Sequence, residues 1–129
     1  MQISVAFTTS ISEYKSIIED LFQTSLSDEE AGGFIYNKEY KIQDGIIFTD
    51  PRRTLKEAIG APQTIVFLIE IGKDFAIGAV AGIIATILYN KLKNCSWLKI
   101  GEQTSKITLE DIRKIIREEL ERQKKEDDD

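Results

Sequence analysis

The 129 residues are 42% hydrophobic and 30% charged, with a net charge of -5, the profile of one globular domain rather than a disordered chain. The acidic balance, with only Arg52-Arg53 and Lys91 with Lys93 as short basic clusters, removes nucleic acid from the expected partners, because phosphate binding needs a clustered basic face. With no histidine and a single cysteine, Cys95, there is no imidazole shuttle, no His-paired nucleophile, no intramolecular disulfide and no cysteine–histidine metal site, so no metal and no cofactor is expected.

The chain opens on "QISVAFTT", alternating and β-branched, which predicts a strand. "SISEYKSIIEDLFQT" follows as a helix, with Ser10 and Glu13 at capping-box spacing and Ile11, Tyr14, Ile18, Leu21 and Phe22 on one face. Gly32-Gly33 ends the connection. "FIYNKEYKI" and "IIFT" then flank Asp44-Gly45, a hairpin turn signal. No cationic segment precedes the apolar start, so a secretory leader is not expected and the chain reads as cytoplasmic.

"DPRRTLKEAIG" predicts a short helix, with Asp50 as cap, Pro51 at the first helical position and Gly60 past the end. "QTIVFLIEI" is apolar on both faces and predicts a central strand covered on both sides. After the helical stretch Phe75 to Tyr89, "WLKI", a Gly101-Glu102 turn and "SKIT" predict a closing hairpin. The last helix starts at Thr108, with Asp111 at the capping-box position and Ile107 and Ile112 placed to staple across it. Beyond Leu120, "ERQKKEDDD" has no apolar face and is expected to fray.

The resulting expectation is an α/β (or α+β) fold in the order βαββαβαββα, with helices packed on a small mixed sheet. It has one domain over residues 1–123 and an acidic disordered tail over 124–129. The strand–helix–strand around Phe75 to Tyr89 implies a right-handed parallel crossover.

"FAIGAVAGIIATILY", Phe75 to Tyr89, carries no charge and spaces Gly78 and Gly82 four apart. On a helical wheel, Ile77, Val80, Ile83, Ile84, Ile87 and Leu88 share one arc. The small residues Gly78, Ala79, Ala81, Gly82, Ala85 and Thr86 share the other. Lipid does not demand such sorting, and about fifteen uncharged residues span only about 22 Å of a hydrocarbon core of about 30 Å. A buried helix is therefore expected rather than a membrane anchor, its bulky arc on the sheet and its small arc on another helix. Gly78, Gly82 and Ala85 become the candidate contact, with the C-terminal helix as its partner or, alternatively, a second copy in a homodimer or another protein.

The run "IEIGKDFAIGAVAGIIATILYNKLK…SWLKIGEQTSKITLEDIRKIIREELE" resembles a pattern in small bacterial proteins of unassigned function. It is also similar in outline to the effector-associated constant-component proteins, small companions encoded beside bacterial conflict and signalling effectors. The resemblance covers residues 65 to 122. It implies an accessory or adaptor role and carries no catalytic residues across.

Two places suit a ligand by position, at strand ends and helix starts. Thr8 to Ser12 brings hydroxyls and helix amides that suit an anion, or Ser10 simply caps. Glu70, Lys73 and Asp74 follow the central strand. There Glu70 is a partly desolvated carboxylate with Asp74 as its acid–base partner, or it is a surface group beside a helix-capping Asp74. Asp50 with Arg52 and Arg53 is a further phosphate grip, unless Asp50 caps. Cys95, just past a helix C-terminus, is not an activated nucleophile. Trp97 and Tyr89 are read as core or as exposed aromatics on a partner surface.

The functional expectation is a non-catalytic, cytoplasmic protein-interaction or accessory module whose partner is a protein. The alternatives are a ligand-binding protein or enzyme with its site at Glu70, Lys73 and Asp74, and a membrane-associated protein inserting the Gly/Ala helix.

Overall fold

A computed structural model describes residues 1–54 and 62–127. Six strands form one sheet in the order β2-β3-β4-β1-β5-β6. They are β1 (Gln2–Thr9), β2 (Glu39–Gln43), β3 (Ile46–Arg53), β4 (Gln63–Ile71), β5 (Leu98–Ile100) and β6 (Gln103–Ser105), with helices α1 (Tyr14–Phe22), α2 (Asp28–Ala31), α3 (Ile77–Leu92) and α4 (Leu109–Asp127). Every pairing is antiparallel, which corrects the expected mixed sheet. The crossover is nevertheless present. β4 and β5 run the same way because each pairs antiparallel with β1, which lies between them, so no parallel ladder forms.

The central pair β1–β4 sets the architecture. Ile3, Val5 and Phe7 of β1 and Ile65, Phe67 and Ile69 of β4 are buried. Their neighbours Ser4, Ala6, Thr8, Thr64, Val66 and Leu68 are only half-buried. Period-two burial of this kind means that one face of the sheet is sealed and the other is open. On the sealed side Phe22 of α1 meets Phe48 and Phe67 edge-on, at ring-centroid distances of 6.3 and 5.7 Å. Phe48 and Phe67 lie 5.2 Å apart beneath it. α3 touches both α1 and α4, so the long helices make one layer on one side. Among the described residues the helices cover β4 on one face only, against the expectation of two.

α3 is a buried-side helix, and none of the described helices is long and apolar enough to cross a membrane. Its buried residues are Val80, Ala81, Ile84, Ala85, Leu88 and Leu92. Lys91, near one edge of that arc, reaches Asp20 of α1 at 2.8 Å. That leaves the edge carrying Ala81 and Ala85 turned to α4, where small side chains permit close helix approach.

The C-terminal half of β3 is where expectation and structure part most. Asp50 and Pro51 do not start a helix. They form a β-bulge between Thr49↔Leu68 and Arg52↔Val66, with Asp50 at φ 53. A bulge accommodates the missing proline N–H, and aspartate tolerates left-handed backbone. The rest of the expected helix, residues 55–60, lies outside the described residues.

Smaller corrections follow the same logic. α1 begins at Tyr14 after a turn in which the Ser10 carbonyl accepts from the amides of Glu13 and Tyr14. The Ser10 hydroxyl pairs with Ser12 instead of capping. α2 was not expected, although Ser27 and Glu30 make a complete capping box. The β2–β3 hairpin turns at Gly45, φ 86, as "DG" foretold. β5 and β6 turn at Gly101, φ 58. Thr108 accepts from the Asp111 amide at 3.2 Å, while the Asp111 carboxylate reaches back to the Lys106 amide at 2.8 Å. α4 continues to Asp127 rather than fraying after Leu120. Arg122 holds both Glu119 and Glu126, and the Gln123 side chain bonds both backbone groups of Gln2.

Candidate functional site

The three residues after the central strand come out dispersed and solvated. Glu70 ends β4 on the open face and is exposed, as are Lys73 and Asp74 in the turn that follows. α3 starts only at Ile77 with Ala76 at the N-cap and no side-chain cap, so Asp74 does not cap it. The burial that a general base at Glu70 would need is not there. A shallow depression of about 530 Å³ beside Glu70 is lined by Met1, Gln2, Gly45, Ile47, Ile71 and Gly72 and includes neither Lys73 nor Asp74.

The helix contact is corrected in part. Ala85 is fully buried, but Gly78 is exposed, and a Cβ built on either Gly78 or Gly82 meets nothing within 4 Å. Ala81 and Ala85 of the small arc pack, Ala79 is exposed, and the glycines face open space.

A second cleft, of about 370 Å³, lies where β1 ends. It is bounded by Thr8, Thr9, Ser10 and Glu13 on one side and by Lys91, Asn94, Cys95 and Ser96 on the other. It gathers hydroxyls, and the Thr9 hydroxyl, sealed from solvent, has no hydrogen-bond partner among the described residues. Its electrostatics are mixed. The α1 amides favour an anion, while the Glu13 carboxylate and the C-terminal end of α3 oppose one. Burial, with Glu13 adding to it, pushes the Cys95 thiol up to about 11, so the one sulfur nucleophile is held as thiol near neutral pH. Tyr89 and Trp97 are both half-buried; Tyr89 packs on the core.

The arginines separate cleanly. Arg53 points to the helix side, its guanidinium stacked between the rings of Tyr14 and Phe34 at 4.6 and 4.8 Å. It donates to the carbonyls of Gly32 and Gly33 at 3.0 and 2.9 Å, which occupies it structurally. Arg52 is exposed on the other face. With Asp50 in the bulge, the three do not converge on a phosphate.

The open face of the sheet is the largest feature that sequence reasoning missed. The strand registers define its rows. One runs Ile35, Arg52, Val66, Ala6, Lys99, Thr104; the next runs Glu39, Thr49, Leu68, Ser4; the third runs Lys41, Ile47, Glu70, Gln2. Ile47, Val66, Leu68 and Ala6 form an apolar centre with small hydroxylated neighbours and charges toward the edges. Ile35, at the rim, is 68% exposed, the most exposed large apolar side chain among the described residues. No described helix lies over this face. An apolar sheet centre that no described helix covers is an unusual use of β-branched and leucine side chains in a monomer. The signal was present in "QTIVFLIEI", whose second face carries Val66 and Leu68 between Thr64 and Glu70.

Comparison with protein families, curated proteins and solved structures yields no match.

Proposed function

We propose that the chain is a non-catalytic protein-interaction or accessory module that docks a protein partner on the open face of its sheet. The observation that carries this reading is the apolar centre at Ile47, Val66 and Leu68, set on a six-stranded sheet and only partly buried. Apolar centres rimmed by charge are the usual anatomy of protein docking surfaces. A cytoplasmic location, and a link to a bacterial effector or defence system, belong to the same proposal and draw on the likeness of residues 65 to 122 to effector-associated constant-component proteins.

The test is differential capture. Tagged wild-type chain and a Leu68→Lys variant of equal melting temperature are exposed to extract of the native host. The expected result is a discrete protein retained by the wild type and lost by the variant. An identical retained set for both would contradict docking on this face.

A further inference from the structure

The charges on the open face are arranged so that the face fits a second copy of itself. About the row containing Leu68, the cations Arg52 and Lys99, without an ion-pair partner among the described residues, lie on one side, one row away through Val66. The acid Glu70 lies one row away on the other side, beside Ile47. Lys41, in the Glu70 row, is already neutralised by Asp44 at 2.6 Å. Rows on one face are two residues apart, about 7 Å. A two-fold axis lying between two such faces and running along the Leu68 row exchanges the flanking rows while keeping each strand's lateral place.

We infer that the open face is a homodimer interface built on that axis, an inference that rests on the docking reading above and names the partner as a second copy of this chain. Leu68 then meets Leu68 of the other copy. Glu70 lands over Val66 of the other copy, with Arg52 one strand to one side and Lys99 two strands to the other. The inclination of about 30° between packed sheets moves Glu70 toward one of these cations. Because the contact is isologous, each Glu70–cation pair occurs twice. Glu39, at the outer end of the axis row, faces its own copy; it is exposed on the rim, where water and salt screen the repulsion. Five strands at about 4.8 Å and about seven residues of length give roughly 550 Å² per copy, so the pair belongs with weak, reversible interfaces.

The experiment is sedimentation equilibrium of the full chain from micromolar to millimolar concentration, repeated for five variants whose thermal melts confirm folding. The wild type is expected to show a monomer–dimer equilibrium. Arg52→Glu and Glu70→Arg are each expected to weaken it about tenfold, and the double variant Arg52→Glu/Glu70→Arg to recover most of that loss. Lys99→Glu gives a second, independent cation, expected to weaken the dimer in the same direction. A wild-type chain that stays monomeric throughout overturns the dimer. So does a dimer indifferent to Leu68→Lys, or one whose charge reversals fail to compensate. If the dimer fails while Leu68→Lys still abolishes capture from extract, the docking reading stands with a different protein as partner. If both fail, the face has no partner of either kind.

Discussion

Along β4, consecutive residues live in different worlds. Phe67 is fully buried and touches the rings of Phe7, Phe22 and Phe48. Leu68, 1 residue on, points to the opposite side, opposed by Thr49 and Ser4, with no described helix above it. Both side chains are large and apolar, so hydrophobicity alone does not assign them their roles. Burial on the helix side holds the fold together; the same chemistry on the other side is the part we propose for association. On the proposed reading, the two faces of one strand separate stability from interaction.

The largest effect should come from breaking the sealed face. Phe67→Ala removes a ring from the centre of the aromatic cluster and should cost about 3–5 kcal/mol of unfolding free energy in a denaturant titration. Leu68→Thr keeps a β-compatible side chain on the half-exposed face and should change the same quantity by less than about 0.5 kcal/mol at concentrations where the chain is monomeric. Comparable losses for the two would erase the contrast.

Next in size is the hairpin that carries α4. Gly101 sits at φ 58, and a Cβ there would lie 2.6 Å from the Glu119 carboxyl carbon, itself part of a side chain that is 4% exposed and bonded to Arg122 at 2.7 Å. Gly101→Ala combines left-handed backbone with that clash and should cost about 1–3 kcal/mol. A neutral result would mean that Glu119 swings out freely and that the sealed side is looser at its end than at its centre.

Smaller, and of opposite sign, is Gly82→Ala on α3. The glycine faces open space, so a methyl group adds helix propensity without a clash and should raise stability by up to about 1 kcal/mol. A loss of stability would place another helix on that side and restore the contact first expected from the Gly78–Gly82 spacing.

Much of the architecture was legible because local and tertiary preferences agree. Gln2–Thr9 and Gln63–Ile71 are strands at their expected boundaries, and the turns at Gly45 and Gly101 need the backbone freedom that glycine supplies. Asp50-Pro51 misled because one dipeptide suits both a helix start and a strand bulge. Pairing with Val66 and Ile65, which is non-local, decides between them. The glycines of α3 misled because spacing shows that two positions share a face but not what stands opposite. Of the candidate site, the solvated triad Glu70, Lys73 and Asp74 was named from its place after a strand, and position alone says nothing of burial. The open face was hidden in plain composition. A strand apolar on both sides is consistent with two covering layers or with one layer and a partner, and only the placement of the helices distinguishes them.

The most direct measurement is the alkylation rate of a Leu68→Cys variant in the folded state, followed from high protein concentration to high dilution. The native thiol provides a slow background, since Cys95 is pushed up to about 11 and carries roughly a hundredfold less thiolate than an ordinary cysteine with pKa about 9. At high dilution the thiol at position 68 should react faster than Cys95, and it should become protected as concentration rises and the face is occupied. A thiol protected equally at every dilution would show that the chain covers this face itself, and would contradict the division of β4 into a folding side and a docking side.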